Sequence, residues 1–537
     1  MLDSGYRILA SRQKRLDVGG HTMTIAEGTV ASGSTRGARA RSVATAVALG
    51  ATIALVLGAC SSSGDSATTA TDTAPATTVV PADVTVTGPI TGGTRGVAYS
   101  AMPPGVADRY GYTEEEYFVA GTAPSYTPAA PLTEDGKWTV NAGSEAPYEV
   151  RVIVRRPANP DDFNGKVVVE WNNVTAGFEN QPVFSLTNDY LMREGYAYVG
   201  VSAQQGGIDG LEKPLEVPGA PPEVLLALKQ WDPQRYGALS HPGDAWSYGI
   251  YTDVADMLRA PGAVDPLGGL VPEEVIAAGQ SQSAGRMVTY ANAVQPVTGA
   301  YDGFLVHSRG DSASPLGPTD ADKAPAVVKV RTDLDAPVLV FQTETEAARS
   351  RALGFRQPDT TSVRVWEVTG TAHADQATLD FATASGKRWT TIGYDPTPYC
   401  GTVNNGPSGS YVITAIDSLD RWIADGTAPP SGPPIQVTDG KVVRAADGIA
   451  LGGIRSPAVD APISILSGEG NPSSVFCSLF GQRTDFTPEQ LVALYGDHAT
   501  YVAKVTTSAD ESVKAGFLLP AERDEFVATA EASRVAR

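Results

Sequence analysis

Apolar and polar positions change their spacing along this chain in a way that separates strands from helices. Residues 145–157 alternate apolar and polar, the period of a strand with one wet face, and predict a strand near a sheet edge. Residues 166–171, 197–201, 275–278, 303–307, 338–342 and 363–368 are instead short apolar runs. Such runs fit strands buried on both faces, as in a mainly parallel sheet. Helical spacing appears between them at 188–194, 248–259 and 284–293. Strand and helix alternate, which predicts an α/β fold with a mainly parallel central sheet flanked by helices on both faces.

Beyond about residue 375 the alternation fades. Residues 400–480 are rich in Gly and Pro, with one helical stretch at 411–425, and predict an irregular C-terminal layer or cap. Thr487-Pro488-Glu489-Gln490 supplies an N-cap, a Pro at the first helical position and a Gln three residues past the cap, so a helix begins there. The chain shows no internal repeat.

Length and composition narrow the class. The chain has 537 residues, 42% hydrophobic and only 19% charged, which excludes global disorder, and its 56 Gly and 39 Pro follow no Gly-X-Y period. Forty Lys plus Arg against 60 Asp plus Glu leave a net charge of −20. That field repels nucleic acid, so no nucleic-acid partner is expected.

The N-terminus bears on compartment. No charged residue occurs from Ser42 to Ala59, and Arg36, Arg39 and Arg41 precede this apolar run, as in a secretory signal. A second methionine, Met23, offers an alternative start. The run ends Leu57-Gly58-Ala59-Cys60, which resembles the lipobox of bacterial lipoproteins; an uncleaved membrane anchor is the other reading. The expected organisation is a lipoprotein signal peptide at 1–59, a flexible tether at 60–83, and a folded domain at 84–537 whose extension starts near 400. A lipid on Cys60 would hold the protein to the extracytoplasmic face of a membrane. Cys400 and Cys477 are then the remaining thiols, and an even pair in an oxidising space predicts a disulfide, against two separately buried thiols.

The segment Val275-Ile276-Ala277-Ala278-Gly279-Gln280-Ser281-Gln282-Ser283-Ala284-Gly285 carries candidate chemistry. A buried strand feeds a turn with small residues two before and two after Ser281, and a helix follows; this resembles the nucleophile elbow of α/β-hydrolases. Ser283 also satisfies the small-x-Ser-x-small spacing, but it falls in the first helical turn. A serine hydroxyl needs an imidazole to take its proton and a carboxylate to orient that imidazole. Of the five histidines, His373 follows the last buried strand in the small-residue loop Gly370-Thr371-Ala372-His373-Ala374-Asp375. The acid is expected after the preceding strand, where Thr343-Glu344-Thr345-Glu346 offers two glutamates, Glu346 first and Glu344 close behind. Oxyanion donors are expected at the Gln282 N–H and in the loop Asn172-Asn173, where a plain Asx turn is the alternative.

The stretch from about Gly88 to Gly481 resembles a bacterial family of uncharacterised α/β-hydrolase-domain proteins. The likeness lies in Glu114-Glu115-Glu116-Tyr117-Phe118, Val168-Val169-Glu170-Trp171-Asn172-Asn173-Val174, His241-Pro242-Gly243-Asp244, the Ser281 elbow, Gly370 to Asp375, and Cys477-Ser478-Leu479-Phe480-Gly481. It implies the α/β-hydrolase fold and a triad of Ser281, His373 and Glu346 or Glu344. The family usually has Asp where Glu346 stands.

Together these features predict a serine hydrolase that cleaves small-molecule carboxylic esters through an acyl-enzyme, without cofactor or metal. The same triad also serves an amidase or an acyltransferase. A hydrolase-fold lipoprotein that only captures a ligand is the alternative from another class. Trp231, Trp246 and Tyr236 are candidates for a substrate pocket or for packing.

Overall fold

In the computed structural model, residues 83–537 other than 351, 392 and 471 are described. The predicted signal peptide, Cys60 and the tether up to residue 82 lie outside the described residues.

A nine-stranded sheet organises the fold. Its strands are β1 (Thr85–Thr87), β2 (Tyr112–Pro128), β3 (Val140–Pro157), β4 (Lys166–Trp171), β5 (Ala197–Val201), β6 (Glu274–Gln280), β7 (Gly303–His307), β8 (Val338–Thr343) and β9 (Val363–Val368). They lie side by side as β1-β2-β3-β5-β4-β6-β7-β8-β9. β1, β2, β3 and β5 pair antiparallel, and every pairing from β5 to β9 is parallel.

Among the helices around this sheet are α1 (Pro182–Arg193), α2 (Ser247–Arg259), α3 (Gln282–Thr289), α4 (Glu344–Arg349), α5 (Gln376–Gly386), α6 (Thr397–Cys400), α7 (Ser408–Asp425), α8 (Val475–Leu479), α9 (Pro488–Tyr495), α10 (His498–Ala515) and α11 (Pro520–Ala532). The continuous apolar runs are explained by burial on both faces. In β4, Val167 and Val169 enter one core with Tyr251 and Val254 of α2 and Met287 of α3, while Val168 enters the other with Phe184 of α1 and Leu419 of α7. β7 and β8 divide in the same way: Phe304, Val306, Val338 and Val340 face the first core, Leu305, Leu339 and Phe341 the second. Each such side chain contributes ~1.5–3 kcal/mol through burial, so neither face tolerates a polar alternation.

The strand predicted at 145–157 near a sheet edge is third from one edge. β3 is 18 residues long and sits between β2 and β5, with β1 and β2 outside it. β2 escaped detection because Glu114, Glu115 and Glu116 break its apolar pattern. Glu114 accepts from Arg155 Nε of β3 at 2.9 Å, and buried Glu116 is paired with Arg151 and, at 2.6 Å, with Arg235 Nε. Once its charge is matched in this way, an acidic residue can occupy an interior strand position.

The C-terminal region carries α6 to α11. α9 begins at the predicted capping box of Thr487 and Gln490. Tyr495, Tyr501, Val505 and Ala530 give these last helices a small core of their own.

Candidate active site

In the strand order the chain leaves β4 toward one side of the sheet and later enters β6 on the other, and ligands of open α/β sheets bind at the carboxyl edge of such a switch point. Here the two edges are stitched together: the Asn173 side chain, just past β4, donates from Nδ2 to Gln280 O at the end of β6 (3.0 Å).

Ser281 is the next residue. Its φ of 65° and ψ of −120° are unusual for a side chain with a Cβ, a conformation that costs ~1–3 kcal/mol and must be held by its surroundings. Its N–H is held by His307 O at 2.9 Å. Gly279 is obligatory in this turn, since a Cβ there would stand 2.9 Å from the Ser283 carbonyl. Ser283 itself is fully buried in α3 and directs its hydroxyl at Asn172 O (3.4 Å), away from any histidine.

The loop after β9 brings in His373. Glu346 Oε1 accepts from His373 Nδ1 at 2.6 Å, which leaves Nε2 to accept the Ser281 Oγ–H at 2.8 Å. The loop is held from several sides: His373 N–H donates to Thr345 Oγ1 (3.1 Å), Gln280 Nε2 donates to His373 O (2.9 Å), and Ala374 N–H donates to Leu479 O (3.1 Å).

The two glutamates part ways. Glu346 is the N3 residue of a capping box on α4, and its Oε2 accepts from Thr343 N–H at 2.9 Å. Burial works to raise its carboxyl, but the charge and hydrogen bond of His373, with the bonds from Thr343, hold it below the usual range. Glu344 does not reach the imidazole, and it is neither a solvated loop charge nor a cavity-lining residue. It is fully buried and accepts from Arg444 Nη2 (2.7 Å), Gly468 N–H (3.0 Å) and Gly370 N–H (2.9 Å). It braces the His373 loop from behind, where Gly370 turns at a φ of 77°.

The oxyanion expectations divide as well. As first residue of α3, Gln282 has an N–H with no intrahelical acceptor. The Asn172 N–H instead extends the sheet to Val201 O (3.1 Å), and the Asn173 N–H donates to Asn180 O (2.9 Å). Neither amide is free to meet an oxyanion. Asn173 folds as the Asx turn weighed above, accepting from Thr175 N–H at Oδ1 (3.0 Å).

Ser281 and His373 open onto a cavity of about 290 Å³, walled by α5, by α8 and by residues 215–225. Trp231, Trp246 and Tyr236 lie outside it. Trp231 packs edge-on against Tyr99 and Trp389, Tyr236 OH donates to Glu116 Oε1 (2.8 Å), and Trp246 Nε1 donates to Ser144 O (2.9 Å). The His241 to Asp244 segment does not line the cavity either; Asp244 Oδ2 takes Arg286 Nη2 of α3 at 2.7 Å and so steadies the elbow helix.

Cys400 of α6 and Cys477 of α8 are joined by a disulfide, with Cα atoms 4.9 Å apart. Around it, Val403 and Phe480 form a small apolar cluster that also touches Ala374, the neighbour of His373. Among the described residues, no group of three or more His, Cys, Asp or Glu side chains is arranged to hold a metal ion.

Gln280, Thr345 and Asn404 were not foreseen from sequence, although Gln280 lies inside the elbow motif. Asn404 donates from Nδ2 to Gly370 O (3.1 Å) and Ser467 O (3.0 Å), from a stretch with no pattern of its own.

No curated protein matches this chain. Among solved structures, it is similar to a candidate dienelactone hydrolase of Klebsiella pneumoniae subsp. pneumoniae MGH 78578, at 14% identity and a TM-score of 0.27, over 47% of this chain and 85% of that one. It is also similar to a Xanthomonas campestris protein described as an α/β serine hydrolase without a lid, at 12% identity and a TM-score of 0.23, over 50% of this chain and 97% of that one. A family model described as an alpha/beta hydrolase domain matches residues 86–528. With its parallel strands, its elbow between β6 and α3 and a match over most of its length, the chain belongs to this α/β-hydrolase-domain family.

Proposed function

We propose that the protein is a serine hydrolase that cleaves carboxylic esters through an acyl-enzyme. The observation that carries this reading is the unbroken line from Ser281 Oγ through the His373 ring to Glu346 Oε1, at 2.8 and 2.6 Å, opening on a cavity. Ser281 Oγ attacks the ester carbonyl while His373 Nε2 takes its proton; Nδ1 stays bonded to Glu346, whose charge stabilises the imidazolium. The Gln282 N–H stabilises the developing oxyanion. His373 then returns the proton to the leaving alcohol and activates the water that releases the acid. Attack on an ester is favoured over mere ligand capture because the strained Ser281 backbone has no role in a simple binding pocket.

A fluorophosphonate should label the protein at Ser281, and Ser281→Ala should abolish both labelling and turnover of p-nitrophenyl butyrate. Labelling that survives in Ser281→Ala would overturn the assignment. We also infer an extracytoplasmic, lipid-anchored protein. The disulfide is consistent with an oxidising compartment. Metabolic labelling with an alkyne fatty acid should mark the protein and be lost in Cys60→Ala.

A further inference from the structure

The walls of the cavity bear on which ester reaches Ser281. Phe381 and Leu379 come from α5, Phe476 and Leu479 from α8, and Leu215 and Val217 from the third segment. No Lys, Arg or Asp lines the cavity among the described residues. Its one carboxylate, Glu179, has its charge paired with Arg151: Oε2 accepts from Arg151 Nη1 and from Asn172 Nδ2, both at 3.0 Å, while Oε1 is buried with no hydrogen-bond partner among the described residues. An anionic substrate group would thus find no cation, and a cationic one would find no free carboxylate. Burying either without a partner is costly. The chain's charge of −20 adds a long-range penalty for anions.

Tyr394 links two of the three walls, the 215–225 segment and α8. Tyr394 OH, itself in the lining, donates to Pro218 O (2.9 Å), and its ring meets Phe476 edge-on at 6.1 Å. Outside the lining, Val475 of α8 stays 58% exposed, Tyr399 of α6 48% and Leu211 39%.

We infer that the substrate is a neutral ester whose larger group is a hydrocarbon of modest length, seated among Leu379, Phe381, Phe476 and Leu479. This rests on the reading of Ser281 as nucleophile and specifies what that nucleophile acts on. A cavity of about 290 Å³ is at the small end for ligand sites, which sets the modest length. Each methylene that enters an apolar site gains roughly three- to fourfold in kcat/KM, until the cavity is full.

The test measures kcat/KM on the whole protein with two series of neutral esters, p-nitrophenyl acylates from acetate to decanoate and alkyl butyrates from methyl to octyl. Alongside them run p-nitrophenyl hemisuccinate and a trimethylammonio-butanoate ester. The expected result is a rise of about tenfold or more over the first two or three methylenes in at least one series, then a plateau or fall. Both charged esters should fall about 100-fold or more below the neutral ester of equal length. Leu379→Ala and Phe476→Ala should lower the longer esters more than the acetate. If either variant fails to fold, the series on the unaltered protein decides. Flat series, or a charged ester equal to its neutral counterpart, overturn the substrate inference, while fluorophosphonate labelling at Ser281 leaves the nucleophile standing. Loss of that labelling in the unaltered protein removes both.

Discussion

Thr343 and Glu346 close a capping box at the start of α4, with Thr343 N–H bonded to Glu346 Oε2 at 2.9 Å while the other oxygen holds the His373 ring. One carboxylate thus fixes a helix end and orients an imidazole. A Gln at N3 still closes a capping box, so Glu346→Gln separates the two tasks. It should leave the urea midpoint nearly unchanged and lower kcat by about 10³- to 10⁴-fold. Glu346→Asp is one methylene shorter and cannot span from Thr343 to His373 as Glu does; both midpoint and kcat should fall.

Asn173 joins the carboxyl ends of β4 and β6 through its bond to Gln280 O. Asn173→Ala removes that bond and the Asx turn, letting the loop and the elbow drift apart. Steady-state kinetics should show kcat lower by about 10- to 100-fold, a loss of positioning, with the fluorophosphonate still reacting slowly. Wild-type kcat in this variant would assign Asn173 to stability alone.

The Cys400 to Cys477 bridge spans 77 residues and carries a cavity wall at one end. Its loss should cost about 4 kcal/mol by loop-closure entropy. Reduction under native conditions should lower the urea midpoint and raise KM for longer esters more than for acetate, because α8 supplies Phe476 and Leu479. Equal KM values before and after reduction would show that the wall is held without the bridge.

His307 is fully enclosed, neither ring nitrogen has a hydrogen-bond partner among the described residues, and burial lowers its pKa to about 3, with Glu346 and His373 acting in opposite directions. In the unfolded chain it titrates near the ordinary histidine value of about 6.5. Below that value the unfolded state binds a proton that the folded state refuses, so stability is full above about pH 6.5 and falls as pH drops toward 3. By pH 5 the loss is about 2 kcal/mol. His307→Leu should lack this share of acid sensitivity, seen as a smaller change in urea-unfolding free energy between pH 8 and pH 5.

The parallel strands were legible because each is apolar on both faces: β4, β5, β7 and β9 lie at the bounds their runs predict. Ser281 stood out because a tight corner admits only small flanks, and His373 because its loop is built of small residues. The bracing role of Glu344 was not legible because its partners Arg444 and Gly468 are 100 and 124 residues away, a proximity that no local pattern carries. The cavity walls escaped for the same reason, since three segments far apart in the chain meet only in the fold. A backbone donor leaves no trace in residue type, so the sequence did not show that the Asn172 and Asn173 N–H groups are taken up by Val201 O and Asn180 O.

Ser281 and His373 are 92 residues apart, and the amide after His373 is held by Leu479, farther still toward the C-terminus. A growing or partly refolded polypeptide that lacks residue 479 has the proposed nucleophile but not the full support of the proposed base. Activity should therefore be acquired late in folding and lost early in unfolding, which makes ester turnover a stricter reporter of the completed molecule than any measure of helix or sheet content.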